Sequence, residues 1–254
     1  MTTLFISDLH LSAKQPAIAL LLETLLARSA GKVEAIYILG DLFDAWIGDD
    51  CSPEFYPSTI AALQKTTTQG TPISLLHGNR DFLLGELFAQ QCGITLLADP
   101  VVIDLYGQAT LLSHGDALCT DDIEYQQFRA QVRHPATQKQ FLALPPAERL
   151  KVASHYRSES QKRGAEKSQE IMDVNQTAVE AVMRQHHVHH LIHGHTHRPN
   201  LHHFELDGSP ATRTVLGDWS DTHASVLISN RESSTLRRLT LTDISTPSRI
   251  WEIT

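Results

Sequence analysis

The chain has little cysteine: three residues, Cys51, Cys92 and Cys119, at irregular spacing. An odd, scattered set makes no disulfide framework and points to a reducing compartment. Long hydrophobic runs are missing too. The most apolar stretch, residues 17–27, is interrupted by Glu23 and is too short to span a bilayer. The opening residues MTTLFISD carry no basic segment and only a three-residue apolar run, so no signal peptide is expected. No Gly/Ser tether, internal repeat or low-complexity segment is found, which argues against flexibly joined domains and solenoid arrays. A positive net charge is absent as well. The formal value is -8 and no aromatic–basic interleaving stands out, so nucleic acid is not an expected partner. Hydrophobic residues nevertheless make up 41% of the chain, enough for a buried core.

What is present is unevenly placed. Residues 129–167 hold nine Lys/Arg against three Asp/Glu, leaving 12 basic and 26 acidic residues elsewhere. Such a segment is either a solvated helix face or a cap facing anions and a membrane surface. Several of the 15 histidines crowd into residues 186–203; most of these are expected on the surface or in loops rather than in a metal tract.

Short apolar runs at 4–6, 35–39 and 73–76 read as buried strands, each stopped by Asp or Gly. Helical spacing lies between them at 15–28, 58–68 and 82–92, with Ile18, Leu21, Leu22 and Leu25 forming one stripe. This alternation argues for a layered α/β domain. A hairpin follows, strands 101–105 and 109–112 around Tyr106-Gly107-Gln108. Residues 121–187 look mostly helical. Further strands are expected at 190–192, 201–206, 212–216, 224–229 and 236–241, with Asp207-Gly208 a hairpin turn. The helical stretch therefore interrupts a strand-rich core of residues 1–120 and 188–254, as an insertion folding over it.

Five motifs sit at the C-terminal ends of these strands: Asp8-Leu9-His10, Gly40-Asp41-Leu42-Phe43-Asp44, Gly78-Asn79-Arg80-Asp81, His114-Gly115-Asp116 and Gly194-His195-Thr196-His197. Sheets of this class bind ligands there. One Asp-x-His pair is an ordinary cap or loop; five such motifs, each after a strand, point to a site. Two carboxylates, one amide oxygen and four imidazoles suit Mn, Fe or Zn better than Mg or Ca, and the absence of cysteine argues against structural zinc. Seven ligands exceed one tetrahedral ion but serve two ions roughly 4 Å apart, bridged by a carboxylate. Asp41, after the central strand, is the natural bridge.

This ordered set resembles the calcineurin-like metallophosphoesterase superfamily across residues 1–120 and 186–220. The resemblance implies a four-layer α/β sandwich, two mixed β-sheets flanked by helices, with residues 121–187 as a helical cap or lid. It implies that Asp8, His10, Asp41 and His197 hold one ion, and Asp41, Asn79, His114 and His195 the other. Asp44, Asp81 and Asp116 would orient neighbours or cap loops.

One position departs from that pattern. The superfamily usually has a histidine after Gly-Asn, taken as the acid that protonates the leaving group; here it is Arg80. Arginine gives up no proton near neutral pH. A phosphate leaving group, with a second pKa of about 6, needs none. Guanidinium also grips phosphate oxygens in pairs, so Arg80 points to pyrophosphate cleavage, unless it only pairs with Asp81 or another carboxylate. The insertion adds apolar Phe128, Val132, Phe141, Leu142, Leu144, Leu150, Val152, Ile171 and Met172, either for helix packing or for an acyl chamber. Basic Arg149, Lys151, Arg157, Lys162, Arg163 and Lys167 would face phosphates or an anionic leaflet.

With Val215-Leu216-Gly217-Asp218-Trp219 near the end, the whole chain resembles the UDP-2,3-diacylglucosamine diphosphatase family of lipid A synthesis. That resemblance implies a manganese-dependent hydrolase, peripheral on the cytoplasmic face of the inner membrane, with a glycolipid nucleotide substrate and no obligate protein partner. It implies Asp41, Asn79, Arg80, His114 and His195 as catalytic residues. Asn79, Arg80, Asp122, Tyr125, Ser160, Lys167 and His195 would contact substrate, with Arg157 a plausible addition; Gly164 stands where the family often has a polar side chain. The alternative is a dimetal hydrolase of soluble nucleotide pyrophosphates or phosphodiesters.

Overall fold

The computed structural model describes residues 2–166 and 171–246, without the side chains of 161 and 163–166. The first sheet is built from β1 (Thr3–Ile6), β2 (Ala35–Leu39), β3 (Ile73–Leu76) and β4 (Thr95–Leu97), all parallel, joined by α1 (Pro16–Ser29), α2 (Pro57–Thr68) and α3 (Glu86–Cys92). The second sheet starts with the hairpin β5 (Val101–Leu105) and β6 (Gln108–Ser113). Its turn, Tyr106-Gly107, has φ of 57° and 91°, the left-handed pair that matches strand twist. Helices α4 (Ile123–Arg133), α5 (Pro135–Leu142), α6 (Pro146–Glu166) and α7 (Gln176–Gln185) come next. The chain returns through β7 (His190–His193), β8 (Asn200–Leu206) and β9 (Ser209–Val215), the last two turning at Asp207-Gly208 as the sequence predicts. It then crosses back to the first sheet as β10 (Ala224–Ser229) and β11 (Ser234–Leu239), and ends its described part in α8 (Leu241–Ser245).

Strand order is β11-β10-β1-β2-β3-β4 in one sheet and β5-β6-β7-β9-β8 in the other, both mixed. Period-two alternation sends Phe5, Leu39 and Leu76 inward from the first sheet to meet Leu112, Ile192 and Leu216 from the second. On the first sheet's other face, Leu4, Ile6, Ile36 and Ile38 pack under the predicted α1 stripe of Ile18, Leu21, Leu22 and Leu25. On the second sheet's outer face, Val179 and Met183 of α7 cover Leu111 and Leu191. The result is helices, sheet, sheet, helix: the expected four layers.

Two local expectations need correction, and one strand was not expected. Helix α3 begins at Glu86 rather than 82, because residues 81–84 form a turn and the distant Asp49 carboxylate accepts the N–H groups of Gly85 and Phe88. Strand β4 has three residues, too few for a periodic signal. The last strand stops at Leu239, where Thr240 and Asp243 form a reciprocal capping box that starts α8.

Candidate metal centre

The strand-end motifs converge. The loop after β1 is zipped to the loop after β2 by Asp8 N–H to Gly40 O (3.1 Å) and His10 N–H to Asp41 O (2.9 Å). Five of the seven candidate ligands, Asp8, His10, Asp41, His195 and His197, have φ between 49° and 69°. Non-glycine residues enter this region rarely and at a cost, so their concentration here marks a backbone bent to aim side chains at one point. Glycines make the approach possible. A Cβ on Gly78 would collide with the Asp41 carboxylate, and one on Gly194 with that of Asp8.

Side chains meet in two trios. His10 Nε2 lies 3.2 Å from His197 Nε2, and His197 Nε2 is 3.4 Å from Asp8 Oδ1. Asn79 Oδ1 sits 2.9 Å from both His114 Nε2 and His195 Nδ1. Asp41 Oδ2 stands between the trios, 3.7 Å from His10 Nδ1 and 3.8 Å from His114 Nε2. Asp8 is also within reach of both, since its carboxylate groups with His10 and His197 and again with Asp41 and His114. All seven predicted ligands are therefore neighbours.

The electrostatics suit cation binding at Asp8, His10 and His195, whereas Asp41 and His114 hold protons that a cation must displace. Burial, with help from His197 and Arg80, pushes the His10 imidazole down to about 3; burial and His114 push His195 down to about 4. Both rings are neutral at physiological pH, the form that donates a lone pair. Burial raises the Asp8 carboxyl, but His197, His114 and His10 win and hold it well below the usual range. Burial, with Asp81 and Asp8, lifts Asp41 to about 7 against the pull of His114. His114 rises to about 9, because Asp41, Asp8 and Asp116 outweigh its burial. Asp8 Oδ1 and His10 Nδ1 are buried without a hydrogen bond. Orphaned polar atoms of this kind are rare in native interiors and call for an unseen partner.

The three aspartates expected to support the site each do something definite. Asp81 is fully buried and accepts N–H groups from Gly78 (2.8 Å), Leu42 (2.7 Å), Asp41 (3.3 Å) and Phe43 (3.3 Å). It thus pins the Asp41 and Asn79 turns together. Asp81→Ala strands these donors, at about 1–3 kcal/mol for an unmet buried group. The melting temperature is expected to fall by roughly 10 °C. Asp81→Asn keeps one acceptor oxygen and falls less; equal melts for the two variants would contradict the role. Asp116 accepts Tyr125 Oη–H (2.9 Å) and Arg129 Nε–H (2.8 Å), with Arg133 Nη2 at 3.5 Å. Asp44 is paired with Arg157.

The remaining candidates are placed as follows. Arg80 donates its backbone N–H to Asp41 Oδ1 (2.7 Å), and among the described residues no carboxylate pairs with its guanidinium. The Tyr125 ring stacks on His195 at 5.9 Å. Asp122 caps α4 by accepting Tyr125 N–H. Ser160 is exposed on α6; Lys167 lies outside the described residues, as does the side chain of Arg163. Arg149 is not turned outward to phosphates or a leaflet. It is buried, forks onto Asp50 at 2.6 and 2.7 Å, and donates to Leu144 O and Ile47 O. His193 is not on the surface: it is buried at the end of β7, Nε2 3.3 Å from Arg213. Of the two roles open to the insertion's apolar residues, helix packing is thin around α4 and α5, which bury no side chain, and Leu142, Leu150 and Ile171 stay exposed; only α7 buries apolar side chains, Val179 and Met183, among the described helices of the insertion.

Arg129 and Arg133 were not singled out, yet Arg133 also reaches Gly78 O at 2.9 Å, behind Asn79. Their signal was available: Tyr125, Arg129 and Arg133 are spaced four apart, one face of a helix.

A sandwich of this architecture with a strand-end Asp/His/Asn cluster defines a class, and the sequence matches it across residues 1–199: the chain belongs to the calcineurin-like phosphoesterase family. Within that class it is similar to proteins named UDP-2,3-diacylglucosamine hydrolase. The one from Escherichia coli O7:K1 is 51% identical, over 86% of this chain and 91% of that protein. Those from Aeromonas hydrophila and Aeromonas salmonicida are 50% and 48% identical, over 90% and 96% of this chain and 94% and 96% of theirs.

Proposed function

We propose that the protein hydrolyses the pyrophosphate bond of UDP-2,3-diacylglucosamine to 2,3-diacylglucosamine 1-phosphate and UMP, a step of lipid A synthesis. The names of its relatives support the substrate. The observation that carries the chemistry is Arg80: a guanidinium without a carboxylate partner among the described residues, in the turn where the family usually places an imidazole.

The donor set and the orphaned Asp8 and His10 atoms fit a pair of divalent cations, with manganese the expected metal. Asp8, His10, Asp41 and His197 would hold one, and Asp41, Asn79, His114 and His195 the other. When bound, such a pair lowers the pKa of water and screens phosphoryl charge. The side chains supply the rest. Asp81 and the Gly78 turn hold Asp41 where it reaches both trios. Arg80 takes two non-bridging oxygens and stabilises charge as the P–O bond to the leaving phosphate breaks. Water oxygen joins one phosphorus, the bridging oxygen leaves with the other, and no side chain must protonate it. His195 contacts a phosphate oxygen.

Of the insertion expected at 121–187, helices α4, α5 and α6 act as a lid over this centre, while α7 serves as the sandwich's outer layer. Tyr125, Asp122, Ser160, Arg157 and Lys167 contact the head group, while half-exposed Phe128 and exposed Leu142, Leu150 and Ile171 receive acyl chains. No described helix is long and apolar enough to cross a membrane, so contact with the cytoplasmic leaflet would be peripheral. The test is turnover of UDP-2,3-diacylglucosamine against UDP-glucose, with products identified by mass spectrometry. A preference of at least about a hundredfold is expected from burying only a few methylenes of the acyl chains. Equal turnover would overturn the substrate assignment.

A further inference from the structure

The centre has two unlike flanks. Tyr125 stacks on His195 and α4 is tied to Asp116, so the insertion lies against the trio of Asn79, His114 and His195. The other trio leads elsewhere. His197 Nδ1 lies 3.6 Å from Asp218 Oδ2, and Asp218 also lines a cavity of about 450 Å³ walled by Pro199, His223, Leu236, Arg237 and Arg238. None of the seven candidate ligands lines this cavity, which opens one side chain beyond the centre. Its size falls within the range of about 300–1,000 Å³ typical of small-molecule sites.

A pyrophosphate joining two large groups sends them in different directions from the reacting phosphorus. On the substrate reading above, the acyl sugar occupies the α4 flank, and the nucleoside needs another place. We propose that this cavity receives the nucleoside monophosphate end of the substrate. Its chemistry suits that end. Leu236 and Pro199 give an apolar wall for a flat base. Arg238, on the same face of β11 as Leu236, offers guanidinium N–H donors to pyrimidine carbonyl oxygens. Asp218 is an acceptor for ribose hydroxyls. His223, held at Nδ1 by Thr222 Oγ1 at 2.6 Å, is a further polar partner.

The proposal is tested by calorimetric titration of the manganese-loaded full chain with UMP and, separately, inorganic phosphate. Wild type is expected to bind UMP at least about tenfold more tightly than phosphate, the margin being the nucleoside's contribution. His223→Ala and Arg238→Ala should erase that margin and leave phosphate affinity unchanged. They should raise KM for UDP-2,3-diacylglucosamine about tenfold. Affinity for 2,3-diacylglucosamine 1-phosphate, kcat and the melting temperature should stay at wild-type values. UMP binding no tighter than phosphate, or variants that weaken phosphate and lipid product as much as UMP, or variants without effect on UMP, would each overturn it. If wild type shows the UMP margin yet does not turn over UDP-2,3-diacylglucosamine, the lipid substrate falls and the nucleotide cavity stands.

Discussion

Asp41→Asn is expected to reduce turnover by more than about a thousandfold, beyond the range of about 10²–10³ for one lost transition-state donor, because this carboxylate reaches both halves of the centre. Asparagine keeps the oxygen that accepts Arg80 N–H (2.7 Å), so the turn should persist. Charge is what disappears, and with it tight binding of a second cation, which elemental analysis after equilibrium dialysis will read. Stability should move the other way. In the metal-free protein the Asp41 carboxyl stands at about 7, against 3.8 for a free one, chiefly through burial and also through Asp81 and Asp8. A raised folded value means that folding favours the protonated acid. Its stabilising effect is full below about pH 4 and is lost as pH rises through 7. Asparagine cannot ionise, so the metal-free variant should melt above metal-free wild type at pH 8, with the gap closing toward pH 4. Cation affinity of wild type runs with the same titrations. Protons held on Asp41 and His114 compete with metal, so affinity rises as pH climbs through 7 toward 9. Wild-type turnover in Asp41→Asn, or a melt below wild type at pH 8, would refute the role.

Most of the site was legible because its chemistry is written in residue types that have few other uses at those places. Asp41, Asn79, His114 and His195 each stand beside a glycine just past a short apolar run, Asp8, His10 and His197 follow within four residues of a strand end, and the seven meet in space. Most strands were equally readable, since the runs Leu4-Phe5-Ile6, Ala35–Leu39 and Leu75-Leu76 place apolar residues on both faces, as buried parallel strands require. What failed was tertiary. Nothing near Glu86 announces that Asp49, far back in the chain, caps α3. Arg149 looked like one more cation in a basic segment, and only the fold brings Asp50 to it.

That last correction changes the meaning of the segment's charge. Arg129 and Arg133 meet Asp116, Arg149 forks onto Asp50 and Arg157 pairs with Asp44. Among the described residues, four of the segment's nine basic side chains thus touch core carboxylates. Apart from α7, whose Val179 and Met183 cover the second sheet, the insertion buries little apolar surface, with no buried side chain in α4 or α5. The attachment of α4 and α6 therefore rests largely on arginine–aspartate contacts, which give direction without a greasy interface. This arrangement leaves the apolar side chains of the helices uncommitted to the core, as a chamber for acyl chains would need.

Arg80→Ala is expected to cut kcat by about a hundredfold or more, the scale of removing one preorganised donor to developing charge. Lysine should restore only part, because an ammonium cannot hold two phosphate oxygens in parallel. The cause is separable from a structural one. Arg80 contributes its backbone N–H to Asp41 and its carbonyl to Trp46 N–H, and both survive any side-chain substitution. The metal content and melting temperature of the variant should therefore match wild type. The leaving group gives the sharper discrimination. If Arg80 stabilises a departing phosphate that needs no proton, the loss should be large for pyrophosphates and small for nitrophenyl esters, whose leaving groups are not phosphates. A variant that raises KM alone, or that loses the same factor on both substrate types, would show Arg80 to be a binding residue and would remove the main argument for pyrophosphate chemistry at this centre.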